Sequence, residues 1–430
     1  MGTTVVCGQP RADRLLAVEE KGIMGAVRNF VRVSFAAAIL ATVSIASAEA
    51  RLHTSGAYGS SGSHHQRVAS AYLRHSSRCH RRGRRHAVAY VQPQIGALVI
   101  TEDGQTVLDN LSDVEFNPAS VAKLVTAYGA IRTFGLEHRF STKVLTDGKL
   151  DESSGILNGN IYVEGIDPDF DRMDAQSLCQ DILDAGVKRV NGKLIVSNTF
   201  SYGSATDPLW SARSLSRVWT SSRRYSPHIA IRNGASVGEI PESAQPICEY
   251  KSEPLRQTLK EMLSFSQNNV AEQLGRCAGG IQKLEEIVSK EAGLDPGSLK
   301  LSTASGLGRN RVTPRDMMLV LKSLRSELKR NGLDLQDICP VAGVDRGTLD
   351  ERFTEPTERG SVVAKTGTLP GTDGGASALA GMFRSQKDDV YFVIFCWRGS
   401  VTAFRQKQDE LIRRLQAARG GPKPFDYWLL

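Results

Sequence analysis

The spacing of apolar positions changes several times along this chain, and each change predicts a different kind of segment. Residues 33–45 are a mainly apolar segment of 13 residues, too short for a comfortable membrane span. The run follows a basic stretch at 24–32 and precedes the small-x-small triplet Ala46-Ser47-Ala48. That is the plan of a secretory signal peptide within residues 1–48, with Met24 an alternative start and an uncleaved anchor the competing reading. Residues 49–93 carry mainly Ser, Gly, His and Arg with few aliphatic residues. They bury too little apolar surface to offset the entropy of ordering, and so predict a disordered linker.

Ordered patterning begins near Ile95. Residues 96–100 and 105–110 flank Asp103-Gly104, a hairpin signal. Pro118 opens a helical stripe through Val121, Leu124, Val125 and Tyr128 that stops at Gly135, predicting a helix over 118–134. Between 138 and 245 the texture shortens to brief strand-like runs (158–163, 187–190, 193–197) and a helix near 175–185, an inserted small α/β unit. Amphipathic helices then start at Glu253, through Leu255, Leu259, Met262 and Leu263, and near Val270. Thr313-Pro314-Arg315-Asp316 combines an N-cap, a first-turn proline and an acid before a helix ending at Gly332. Residues 362–365, 376–383 and 390–397 read as strands, and 401–418 as a final helix. A hairpin, a helical middle, strands and a helix predict an α+β fold, in which 94–137 and 246–420 form one domain around the 138–245 insert. Residues 421–430 read as a tail.

Composition adds two constraints. With 40% hydrophobic and 23% charged residues in 430, the chain reads as globular, with room for two or three domains. Its net charge of +8 would suggest nucleic acid, but residues 51–86 alone hold eight arginines and no acid, residues 1–50 add +1, and 87–430 are left at −1. The basicity belongs to a tract outside the folded part, which argues against a nucleic-acid partner. That tract also carries six of the eight histidines; it suits a solvated linker or loose attachment to anionic envelope polymers better than metal capture. Seven scattered cysteines with no Cys-x-x-Cys pair argue against zinc, leave one or two disulfides open without indicating the pairing, and make Cys396 a buried thiol.

Three short motifs carry the chemistry. Ser120 and Lys123 are a turn apart on one helical face, so an amine can take the serine's proton while the helix dipole favours the developing anion. Ser266-Gln267-Asn268 is the only Ser-x-Asn in the chain, and Lys365-Thr366-Gly367 the only Lys-Thr-Gly. A second Ser-x-x-Lys, Ser326 to Lys329, falls after Ser-x-Asn inside a charged helix and reads as ordinary surface. Ser-x-x-Lys, then Ser-x-Asn, then Lys-Thr-Gly is the order found in β-lactamases and penicillin-binding proteins.

Local context narrows the resemblance. Lys365-Thr366-Gly367-Thr368-Leu369 followed by Ala376-Ser377-Ala378-Leu379-Ala380-Gly381, the run Val341-Ala342-Gly343-Val344-Asp345-Arg346-Gly347-Thr348-Leu349, Ser305-Gly306-Leu307, and Gly165-Ile166-Asp167-Pro168 resemble the low-molecular-mass class C penicillin-binding proteins, the D-alanyl-D-alanine carboxypeptidase/endopeptidases. The resemblance spans about residues 95–420 and implies a transpeptidase-like domain, an antiparallel sheet flanked by helices, carrying the insert. It implies that Ser120 is the nucleophile and Lys123 its base, that Ser266 relays the proton to the leaving amine, and that Asn268 holds Lys123 and the substrate amide. Lys365 and Thr366 would bind the C-terminal carboxylate, Gly367 would permit close approach, and the N–H groups of Ser120 and Thr368 would form the oxyanion hole. The expected partners are peptidoglycan stem peptides, with β-lactams as covalent inhibitors, no cofactor or metal, and a periplasmic location. Membrane association would run only through an uncleaved signal or the basic tract. Thr303-Ala304 departs from the Asp-Gly common before Ser-Gly-Leu, and residues 370–375 lengthen the loop after Lys-Thr-Gly. The competing readings are a non-catalytic wall-binding protein of the same fold and a β-lactamase; the insert argues against the lactamase.

Overall fold

The computed structural model describes residues 94–205, 207–222 and 226–426. The expected signal peptide, the expected linker and the last four residues of the tail lie outside the described residues. The described chain begins with strands β1 (Gln94–Thr101) and β2 (Thr106–Asn110), joined through Gly104 at a φ of 95°. A 3₁₀ turn, Ala119–Ala122, leads into α1 (Lys123–Phe134), which ends at Gly135 with a φ of 87°. The single helix expected over 118–134 is present, with a first turn that is 3₁₀ rather than α. Ala119 sits at a φ of 47°, and its carbonyl oxygen lies only 2.0 Å from where a Cβ on Gly306 would stand. Left-handed backbone at an alanine is strained, and the close approach of the 306 loop holds it there.

Then come β3 (Ser141–Thr146), β4 (Lys149–Asp151), β5 (Ile156–Asn158), β6 (Ile161–Gly165), α2 (Arg172–Asp184), β7 (Arg189–Val190), β8 (Leu194–Val196), α3 (Pro208–Trp219), β9 (Ala230–Ile231), β10 (Ala235–Val237) and β11 (Gln245–Lys251). They build two sheets, ordered β10-β8-β6-β3-β11 and β4-β5-β7-β9. Residues 158–163, expected as one strand-like run, are divided between the two. Asp147 takes the Asn160 backbone N–H at 2.7 Å and its side-chain amide at 2.8 Å, which turns the chain between β5 and β6. Helix α3 was absent from the sequence reading, although Asp207 as N-cap and Pro208 at the first position announce it. These elements enclose an apolar core of their own, including Val163, Leu178, Ile182, Leu194, Leu215 and Trp219.

The rest of the chain supplies α4 (Leu255–Phe265), α5 (Asn268–Cys277), α6 (Ile281–Ala292), α7 (Pro314–Arg330), β12 (Val362–Leu369), β13 (Ala376–Arg384), β14 (Asp389–Trp397) and α8 (Val401–Ala417). Thr313 caps α7 by accepting from the Asp316 N–H, as its tetrapeptide predicts. The sheet β12-β13-β14-β1-β2 is antiparallel throughout. Leu98, Val363, Met382, Val393 and Phe395 face the helical layer, in which residues 123–131 of α1 are all buried. Val99, Leu379, Phe392 and Ile394 pack on the other face against Phe404 and Ile412 of α8. α1 is therefore a central helix, fixed on every side, and the serine just before it inherits that rigidity.

Arg325 on α7 is buried and ties the helical layer to the sheet: it donates to Asp334 at 2.7 Å, to Glu102 at 2.8 Å and to the Tyr391 hydroxyl at 2.9 Å. Its neighbours Ser326 and Lys329 are helix-surface groups, bonded to the Lys322 carbonyl and to Glu102. The start of the expected tail is packed: Phe425 is buried, and its N–H donates to the Gly360 carbonyl at 2.8 Å. Cys179, Cys248, Cys277, Cys339 and Cys396 are free thiols, Cys396 buried within β14.

Candidate active site

Ser120 is half-buried in the 3₁₀ turn, and the Lys123 Nζ one turn on lies 3.1 Å from its Oγ. The same Nζ donates to Asn268 Oδ1 at 2.7 Å and to the Ser305 carbonyl at 2.8 Å. A neutral amine has two N–H bonds and one lone pair. Nζ thus stands within hydrogen-bond reach of the serine hydroxyl, fixed by two further acceptors, and in its neutral form its lone pair can take the hydroxyl proton. Lys123 is fully buried, and burial pushes its pKa down to about 7, against the pull of the Glu272 carboxylate, which favours the charged form.

Two of the three motifs therefore meet at Lys123: Ser120–Lys123, and the Asn268 of Ser-x-Asn, which opens α5. Ser266 caps α4 in a left-handed conformation, φ 56°, half-buried. No hydrogen bond joins it to Ser120, Lys123 or Lys365. Lys365 is fully buried on β12 and donates to the Thr366 carbonyl at 2.9 Å. Burial first, and the neighbouring Lys123 charge second, hold its pKa well below a lysine's usual range.

The Lys-Thr-Gly strand owes its place to glycine and to an edge. A Cβ on Gly367 would stand 2.6 Å from the Pro118 carbonyl oxygen and 3.0 Å from the Ala119 Cβ, so only glycine lets β12 lie against the turn that carries Ser120. β12 is also an edge strand. Its first half is covered, because the Ala364 N–H donates to Pro340 and the Val362 carbonyl accepts from Ala342. In an antiparallel ladder alternate residues turn both N–H and C=O to the same side. Thr366 and Thr368 consequently direct their backbone groups outward past the end of that cover, along an edge where an extended peptide can add.

Four further residues shape the site. The Glu272 carboxylate accepts the Ser305 N–H at 2.9 Å and so holds the carbonyl that holds Lys123; Glu272 is one turn on from Asn268, but nothing in its spacing marks it out. Asn117 accepts the Ala119 N–H at 3.0 Å and donates to Asp373 at 2.8 Å. Asp373, from the lengthened loop after Lys-Thr-Gly, also receives both ends of the Arg311 guanidinium, at 2.8 and 3.0 Å. Burial opposes its charge, but the Arg311 and Asn117 hydrogen bonds prevail and keep its carboxyl below the usual range. The lengthened loop is thus tied back to the turn that carries Ser120.

The D-Ala-D-Ala carboxypeptidase 3 (S13) family model matches residues 89–222 and 221–417. Carboxypeptidase Rv3627c of Mycobacterium tuberculosis is 24% identical over 76% of this chain and 82% of its own length. The D-alanyl-D-alanine carboxypeptidase DacB of Haemophilus influenzae is 24% identical over 64% of this chain and 79% of its own. Among solved structures, the Bd3459 predatory endopeptidase of Bdellovibrio bacteriovorus superposes with a TM-score of 0.66 at 22% identity, covering 78% of this chain and 96% of the other. Penicillin binding protein 4 of H. influenzae superposes at 0.60, also 22% identical, over 74% and 96%. The fold is that of the penicillin-binding proteins, and with a family model spanning almost the whole described region, the chain belongs to the D-Ala-D-Ala carboxypeptidase 3 (S13) family.

Proposed function

We propose that this protein is an exported serine D-Ala-D-Ala carboxypeptidase that trims peptidoglycan stem peptides in the periplasm. In this reading 94–137 and 246–420 form the catalytic domain and 138–245 an inserted one. The observation that carries it is the fully buried Lys123 amine, held by Asn268 and the Ser305 carbonyl 3.1 Å from Ser120 Oγ, where burial lowers its pKa to about 7. Neutral Lys123 takes the hydroxyl proton as Ser120 Oγ bonds to the carbonyl carbon of the penultimate D-Ala. The carbonyl oxygen becomes an oxyanion, received by the N–H groups of Ser120 and Thr368. As the tetrahedral centre collapses, the C–N bond breaks and the leaving D-Ala nitrogen takes the proton from Lys123. An acyl-enzyme on Ser120 remains, and water hydrolyses it with the same base. Asn268 orients Lys123 and the substrate amide, while Lys365 and Thr366 flank the C-terminal carboxylate. A β-lactam follows the acylation half and leaves its opened ring on Ser120.

The test is the intact mass of the purified protein after brief exposure to benzylpenicillin, with D-Ala release from an N-acyl-D-Ala-D-Ala peptide measured in parallel. A single adduct and D-Ala release, both abolished in Ser120→Ala, are expected. Absence of both in well-folded protein would refute the assignment and favour a wall-binding role without turnover.

A further inference from the structure

A carboxypeptidase must recognise the negative charge at the end of its substrate, and the motif lysines are poorly placed to do so alone. Lys123 and Lys365 are both fully buried, and the charge on one disfavours the charge on the other. Lys365 moreover spends a hydrogen bond on the Thr366 carbonyl. A lasting positive charge has to come from a group that does not deprotonate and that solvent, hence substrate, can reach. Arginine meets the first condition at any working pH.

Arg405 meets the second. It is exposed on the second turn of α8, and its Nη2 donates to Thr368 Oγ1 at 2.9 Å. Thr368 lies two residues beyond Thr366 on β12, so the two hydroxyls share one face of the strand at its uncovered end. Between them Gly367 touches the nucleophile turn. One of the five guanidinium N–H bonds is used on Thr368; the others remain for a ligand, in the planar fork that matches a carboxylate. The same hydroxyl accepts from Arg405 and keeps its own hydrogen to donate. Docking of α8 does not call for this bond, since Phe404, Gln408, Ile412 and Gln416 already bury one face of the helix and Gln408 donates to Ser377 at 3.2 Å.

We propose that Arg405, reaching across α8 to Thr368, is a specificity-determining residue that binds the C-terminal carboxylate of the substrate together with the Thr366 and Thr368 hydroxyls. This rests on the carboxypeptidase reading above. Arg405 selects peptides that end in a free carboxylate in the position after the scissile bond and discriminates against neutral ends. Because it is exposed, its contribution weakens with added salt.

The test compares full-length wild type, Arg405→Ala and Arg405→Lys on two N-acyl peptides ending in D-Ala-D-Ala, one with a free carboxylate and one with a C-terminal carboxamide. Wild type is expected to prefer the acid. In Arg405→Ala, kcat/KM on the acid should fall about tenfold or more, chiefly through KM, with less than a twofold change on the amide. Arg405→Lys, which keeps a point charge without the fork, should fall between them. An equal loss on both peptides, or a lowered Tm with an unchanged acid-to-amide ratio, would show Arg405 to be a structural tie and overturn the proposal. Wild type that releases D-Ala from neither peptide and takes no penicillin adduct would overturn the carboxypeptidase reading itself, a result distinct from either.

Discussion

Acylation of Ser120 should follow the titration of Lys123. A lysine of ordinary pKa is neutral to only about 0.03% at pH 7, whereas one at about 7 is about half neutral, a gain of roughly a thousandfold in competent base. Lowering the pH to 5 would leave about 1% neutral, so acylation should slow about fiftyfold, roughly fivefold from pH 7 to 6 and ninefold from 6 to 5. The assay is the second-order rate constant for acylation by a fluorescent penicillin between pH 5 and 9, read by gel and confirmed by intact mass. Penicillin's carboxylate keeps its charge over that range, so the limb reports the enzyme. A profile flat from pH 5 to 9, or one still climbing steeply at pH 9, would refute the burial argument. Stability carries the same signature. The folded-state pKa lies below the unfolded one, so between about 7 and 10.5 the unfolded chain binds the extra proton. The Lys123 contribution to stability therefore rises with pH across that window and is constant below it.

Glu272→Gln retains an acceptor for the Ser305 N–H but removes the charge that favours protonated Lys123, so the acid limb of the same profile should move to lower pH. Gly306→Ala places a Cβ 2.0 Å from the Ala119 carbonyl at a φ of +82°; a loss of about 1–3 kcal/mol in urea unfolding and at least a tenfold slower acylation are expected. Arg325→Ala leaves the part-buried Asp334 and the Tyr391 hydroxyl without their cation, and should cost about 3 kcal/mol by chemical denaturation while the residual folded protein still takes a penicillin adduct.

Patterning sufficed where a local rule acts alone. The Asp103-Gly104 hairpin, the Thr313-Pro314 helix start, the three strands β12 to β14 and the final helix are each announced by spacing or by turn and cap residues. It failed where a distant contact overrides the local preference. The 118–134 stripe reads as one α-helix, but its first turn is 3₁₀ and starts from a left-handed Ala119 packed against Gly306. The 158–163 run reads as one strand, but Asp147 turns it between two sheets. Glu272, Asn117, Asp373 and Arg405 stayed hidden because each works through a partner distant in sequence, and an isolated acid, amide or arginine carries no periodicity to detect.

The sequence by itself determined the order and identity of the chemical groups: a serine with a lysine one turn on, an asparagine between helices and a lysine-threonine-glycine at the end of an apolar strand. Those follow from residue types at short spacings, which are legible before any long-range contact is known. Tertiary structure decided which of them act on one another and in what state of charge. Burial of the Lys123 amine, the two acceptors that fix it, the uncovered end of β12 and the guanidinium beside Thr368 all arise from packing between segments distant in sequence, up to 182 residues apart for the Lys123 acceptors. A shift from a lysine's usual range to about 7 is a property of the low-dielectric interior rather than of any residue in it.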